Sequence, residues 1–249
     1  GEKIAIVSSK PQTTRNRITG LVNNETATVT ATGSQTEVGD SENTYSIDWG
    51  TTNKDNYTVT DNLGTLTVTE SSAEVTLTAP SASKTYDGTA LTAPGTAAKP
   101  VTASGLPEGF TVEATASGSQ TDAGESANVV NDGYVIKNAE GVDKTANFTN
   151  VTKVNGKLTV NPKAVTITTG SDSKAYDGTA LTNSTVTVTG DGFATGEGAT
   201  YNVTGSQTKV GGEANNNTFT YTLNEGTTAT DYSITTVNGT LTVTKTSKS

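Results

Sequence analysis

The chain has no cysteine, no methionine and no histidine, and it has a single tryptophan. Without cysteine there are no disulfides and no thiolate metal sites. Without His or Cys, the usual Ser–His and Cys–His catalytic arrangements cannot be assembled. Apolar residues are scarce as well: 31% of 249 residues are hydrophobic and 5% aromatic. That is too little apolar surface for one large core. Positive charge is in deficit, giving a formal net charge of −9. An acidic surface repels phosphate backbones and anionic headgroups, which disfavours nucleic acid and membrane surfaces as partners. No apolar run approaches the ~20 residues of a membrane span, so no membrane insertion is expected. The sequence opens at Gly1 without a signal peptide, and it reads as a mature or excised piece of something longer.

What the chain does have is threonine, roughly one residue in five, and repetition. YDGTALT occurs at Tyr86–Thr92 and again, unchanged, at Tyr176–Thr182. GSQT occurs at Gly33–Thr36, Gly118–Thr121 and Gly205–Thr208. It is followed each time by a related string: EVGDSEN (Glu37–Asn43), DAGESAN (Asp122–Asn128) and KVGGEAN (Lys209–Asn215). Closing strings match too, at Gly64–Thr69, Gly156–Asn161 and Gly239–Thr244, each preceded by an aromatic: Tyr57, Phe148 and Tyr232. Opening strings align at Glu2, Glu74 and Ala164. The chain therefore reads as three copies of one module, 1–71, 72–163 and 164–249, joined by the short strings TESSAE and NPKA. The first copy is divergent: it carries SSKPQTTRNRITGLVNN where its sisters carry YDG.

Each module reads as all-β. The closing string GTLTVT alternates strictly, with Leu66 and Val68 on one face and threonines on the other. Leu158 with Val160, and Leu241 with Val243, repeat the pattern. Such a period marks a half-buried antiparallel strand. No segment carries a helical apolar stripe, so little helix is expected. Asn155-Gly156 and Asn238-Gly239 suit a type I′ hairpin, which would lay the aromatic strand beside the closing strand. Asp87-Gly88 and Asp177-Gly178 suit a turn in which Gly takes positive φ. Tyr86 and Tyr176 precede that turn, placed to cover the small core, and Leu91 and Leu181 follow it. The expected architecture is an elongated tandem array of three small antiparallel β modules, each a β-sandwich or β-grasp-like sheet. Each module has few core side chains, so support from its neighbours is expected.

The order K-x-YDGTALT, TGSQTxVG, then an aromatic strand and GTLTVT resembles the MBG or YDG-type tandem repeats of bacterial cell-surface adhesin-like proteins. The resemblance covers residues 72–249 and the later part of the first module. It implies an extracellular location, at the bacterial cell surface or cell wall, and a spacer that projects an adhesive domain. It implies no catalytic residues, no cofactor and no metal. It leaves Tyr86, Asp87, Gly88, Tyr176, Asp177 and Gly178 as structural motif residues, and neighbouring repeats of the same chain as partners.

Other candidate sites read as ordinary surface chemistry. Asp40 with Glu42, and Glu108 with Glu113, are solvated loop acids. The clusters Asp40, Glu42, Asn43, then Glu125, Asn128, then Glu213, Asn215 lack the spacing of a calcium loop and read as turns. Threonine rows fit an exposed pleated face rather than an ice-binding one. LPEG at Leu106–Gly109 reads as a proline turn. Lys157, Lys163 and Lys174 have no pattern that specifies an isopeptide partner. Trp49 shares a face with Tyr45 and Ile47 and is expected in a core rather than against a sugar. The leading functional expectation is a non-catalytic stalk. The alternatives are a module binding a host glycan or protein, and an accessory repeat of a secreted enzyme.

Overall fold

Alternation of threonine with valine, leucine and isoleucine is realised as short strands throughout. The computed structural model describes residues 15–17, 21–22 and 24–248. The first opening string at Glu2 and most of the divergent insertion lie outside the described residues. Among the described residues there is no α-helix. There are only three single-turn 3-10 segments, at Lys54–Asn56, Thr145–Asn147 and Ala229–Asp231. The fold is all-β, built from several small sheets.

The chain divides into two compact units: residues up to 74 with 144–150, and residues 75–143 with 151–249. The first unit holds β1 (Arg15–Arg17), β2 (Thr28–Ala31), β3 (Gly39–Asn43), β4 (Tyr45–Asp48) and β5 (Gly64–Val68). They pair antiparallel as β1-β2-β4 and β3-β5. Tyr45, Ile47 and Trp49 alternate as half-buried residues with exposed neighbours, as their spacing predicts. Trp49 stacks on Tyr57 with ring centroids 5.9 Å apart. The Tyr57 hydroxyl donates to Glu25.

The remaining strands belong wholly or partly to the second unit. They are β6 (Ser71–Thr78), β7 (Ala82–Thr85), β8 (Thr102–Ser104), β9 (Thr111–Glu113), β10 (Ala116–Ser117), β11 (Gly124–Val130) and β12 (Val135–Lys137). After them come β13 (Phe148–Val154), β14 (Gly156–Asn161), β15 (Lys163–Thr169), β16 (Asp172–Ala175), β17 (Val186–Gly190), β18 (Ala199–Val203), β19 (Phe219–Leu223), β20 (Tyr232–Val237) and β21 (Leu241–Thr244). The expectation of purely antiparallel modules is corrected here. β7 pairs parallel with β14, β16 with β21, and β15 with β20. Parallel pairs need long crossovers, and alternation along one strand carries no information about the direction of its neighbour.

The second and third closing strands supply fully enclosed side chains, whereas Leu66 and Val68 of the first are half-buried. Leu158, Val160, Leu241 and Val243 are at most 1% exposed. The expected Asn-Gly hairpin is absent. β13 lies in a sheet ordered β13-β6-β8, whereas β14 lies between β11 and β7. The aromatic and closing strands thus belong to different sheets although only Asn155 separates them. Neither Gly156 nor Gly239 takes positive φ. They are glycines because backbone crosses them: a Cβ would sit 2.1 Å from the Pro80 carbonyl oxygen at Gly156, and 2.2 Å from the Gly170 oxygen at Gly239.

The GSQT string also has a structural explanation. Its glycine lies against an asparagine opposite the closing glycine. Asn43 pairs with Gly64, Asn128 with Gly156, and Asn217 with Gly239. A Cβ at Gly33, Gly118 or Gly205 would come within 3.0 Å of Asn43, Asn128 or Asn217, respectively. The Gln side chain donates two residues ahead in all three copies, Gln35 to Glu37 O, Gln120 to Asp122 O and Gln207 to Lys209 O, at 2.7, 2.7 and 2.9 Å. Asn128 and Asn217 are fully buried. Asn128 Nδ2 donates to Pro80 O and Ala93 O at 2.9 and 2.7 Å, and Asn217 Nδ2 to Gly170 O and Asn183 O at 2.8 and 2.9 Å. Each is a strap joining three chain segments. The matching strings set Asn215 beside Asn43 and Asn128, but two extra residues in the third copy give the role to Asn217.

Candidate interface at the YDG turns

The heptad YDGTALT builds the same turn twice. Gly88 and Gly178 have φ of 81° and 82°, a region that only glycine enters without cost. Asp87 Oδ1 accepts from Thr89 N at 2.9 Å and Thr89 Oγ1 at 2.7 Å, and Asp177 repeats both bonds to Thr179 at the same distances. A lysine three residues before the aspartate closes the turn, with Lys84–Asp87 at 2.7 Å and Lys174–Asp177 at 2.9 Å. The Lys84 ammonium, then the Thr89 hydroxyl and N–H, hold Asp87 well below the usual carboxylate range. At Asp177 the Thr179 hydroxyl leads and Lys174 follows, with the same result. The carboxylates of these pairs are half exposed, where solvent screens ion pairing and little stability comes from the charges themselves. Their role is to fix the turn, which also accounts for the lysine in K-x-YDGT.

The two tyrosines start from matching backbones. Tyr86 N–H donates to Asn161 O and Tyr176 N–H to Thr244 O, both at 2.8 Å, at the ends of β14 and β21. Their side chains then diverge. Tyr86 is 6% exposed and Tyr176 is 46% exposed. The expectation that both cover a core holds for Tyr86 and fails for Tyr176. The reason is tertiary: Tyr86 lies under residues from 164–249, and no such cover stands over the Tyr176 ring among the described residues.

The cover over Tyr86 is specific. Its ring shares a cluster with Val160, Val165, Ile167, Ala194 and Tyr232. It meets Tyr232 edge-on, with centroids 5.5 Å apart and planes at 79°. Phe193 also packs edge-on against Tyr232, with centroids 5.0 Å apart. The Tyr86 hydroxyl donates to Glu197 Oε2 at 2.9 Å. Burial, and next this hydrogen bond, push the Tyr86 phenol well above its ordinary value. Beside it, Asp231 accepts from Ala123 N–H at 2.8 Å and is buried. Asp122 is raised, chiefly by the negative charge of Asp231 and next by desolvation.

An equivalent pairing occurs at the loop after the first GSQT. Glu37 stands where Asp122 does, and its carboxylate pairs with Lys144 at 2.6 Å, at the start of the 3-10 turn that precedes Phe148. In each case the residue after GSQT meets the turn before an aromatic strand of the following segment.

The chemistry-bearing candidates remain dispersed. Among the described residues no group of three His, Cys, Asp or Glu side chains is arranged to hold a metal ion. An open hollow of about 430 Å³, lined by Pro100, Val101, Val112, Glu113 and Tyr134, carries one carboxylate, and Lys137 pairs with it at 3.0 Å. Lys174 is occupied by Asp177 and Thr179. No helix of the described residues is long and apolar enough to cross a membrane. No family model, curated protein or solved structure matches this chain.

Proposed function

We propose that this chain is a non-catalytic spacer: three tandem MBG or YDG-like modules, 1–71, 72–163 and 164–249, that hold a binding domain away from a bacterial cell surface. The observation that carries the reading is the joint at Tyr86. A turn motif spelled identically in two copies has its aromatic ring buried by the next copy, with only Pro162 between β14 and β15. A joint of that kind stiffens a series, and stiffness is what a spacer needs. The acidic, threonine-rich surface fits an exposed extracellular stalk. Its partners are its own neighbouring repeats.

Small-angle X-ray scattering tests the reading. A compact chain of this length would have a radius of gyration of about 18 Å. The proposal expects a clearly larger value and a rod-like distance distribution. A sphere of compact dimensions would refute it.

A further inference from the structure

The residues at the end of β21 reproduce those at the end of β14, without the cover. Ala175 pairs with Thr244 on one side of β21, and Gly211 bridges Val243 on the other. Tyr176 and Val210 therefore flank the same strand end, 46% and 48% exposed. At β14, Thr85 pairs with Asn161 and Gly124 with Val160, so Tyr86 and Ala123 flank the strand end in the same way. There both positions are occupied, Tyr86 by the Tyr232 cluster and Ala123 N–H by Asp231.

We propose that the exposed face formed by Tyr176, Lys209 and Val210 is a docking site for a further module of the same repeat, received as 72–163 receives 164–249. This deepens the spacer reading and rests on it. Three observations select that occupant. The turn beneath Tyr176 is already set by the same Lys–Asp–Thr bonds as the turn beneath Tyr86. A tyrosine fixed in the geometry that elsewhere packs against Val165, Ile167 and Tyr232 fits the same opening and aromatic strands again. Charge agrees as well. Lys209 stands where Glu37 and Asp122 stand, and it would meet a carboxylate at the Asp231 position of the arriving module, replacing the repulsion between Asp122 and Asp231 with attraction.

The test extends the whole chain. A second copy of residues 162–249 is joined after Thr244, so that Thr244 takes the place of Asn161. Tetranitromethane labelling with peptide mapping then reads each tyrosine. In the parent chain Tyr176 is nitrated and Tyr86 is spared. In the extended chain Tyr176 falls to the level of Tyr86, the final copy's equivalent tyrosine stays reactive, and amide exchange over residues 174–181 slows by about tenfold or more. A second variant, Tyr176→Ala, becomes as destabilising in the extended chain as Tyr86→Ala is in the parent. An extended chain in which Tyr176 stays reactive, or in which its alanine variant costs no more than before, overturns the proposal. So does loss of Tyr86 protection, since docking of this kind leaves the earlier joint intact. A rod by scattering with Tyr176 still reactive would keep the spacer reading and sink the docking. A compact particle with Tyr176 protected would do the reverse.

Discussion

Tyr86→Ala and Tyr176→Ala form a matched pair, because the same heptad supplies both sites and only the cover differs. The two side chains differ in exposure by 40 percentage points, 46 minus 6. A tyrosine buries ~200 Å² when enclosed, so the cover removes ~80 Å² from water at Tyr86, which stabilises by ~2 kcal/mol at ~25 cal/mol per Å². The edge-on contact with Tyr232 adds ~1 kcal/mol. Leaving Glu197 Oε2 without its phenol donor costs a further ~1 kcal/mol or more. Tyr86→Ala is therefore expected to cost ~3 kcal/mol or more beyond Tyr176→Ala, within the range measured for large core truncations. Urea unfolding followed by far-UV circular dichroism reads the strands of both units together. Trp49 fluorescence, from the single tryptophan in the first unit, gives a separate trace. A shift in midpoint at constant slope would assign the loss to stability. Equal losses at the two tyrosines would refute the reasoning, for burial by the following segment would then contribute nothing.

Three other expectations follow from the same contacts. Asn128→Ala and Asn217→Ala each leave two carbonyl oxygens, buried or part-buried, without their amide donor, and each should cost ~2–4 kcal/mol by the same urea assay; a loss below about 0.5 kcal/mol would contradict the strap role. Asp122→Asn replaces a second anion beside Asp231 with a donor, so it should raise the unfolding midpoint at neutral pH. That gain should shrink as salt is added, and a lowered midpoint would count against it. The Tyr86 phenol is raised in the folded state, so its contribution is complete below the unfolded value of about 10 and is lost as pH climbs beyond it. The depressed carboxylates Asp87 and Asp177 act in the opposite sense: their contribution is present above about pH 4 and is lost on acidification below it. Melting temperature measured against pH should fall at both ends, and Tyr86→Phe should soften the alkaline limb.

Much of the local structure is legible in the chain, for physical reasons. The alternation of Leu158 with Val160 and of Leu241 with Val243 is a period-two pattern. It reports which face is buried whatever the strand pairs with, and all four are enclosed. The turn at Asp87-Gly88 is legible because positive φ is a property of one residue and its Asx-type hydrogen bonds span only two. Trp49 with Tyr45 and Ile47 follows the same rule, although the small first unit encloses them only in part.

Where non-local geometry decides, the chain is silent. Asn-Gly before the closing strand has the chemistry of a hairpin turn, yet the glycine serves a backbone crossing from Pro80, some 76 residues away. Parallel pairing of β7 with β14 and of β15 with β20 is written in no single strand, because alternation is the same for either direction. The recurring Asn after GSQT looks like a surface ligand in a list of residues and becomes a buried strap once three segments converge on it. Tyr86 and Tyr176 are followed by the same six residues, DGTALT, and one is enclosed while the other faces water. Local sequence determined the strands, the turns and the repeated frame. Tertiary structure alone decided which copies of the frame are covered, because burial is a property of what arrives from elsewhere in the chain.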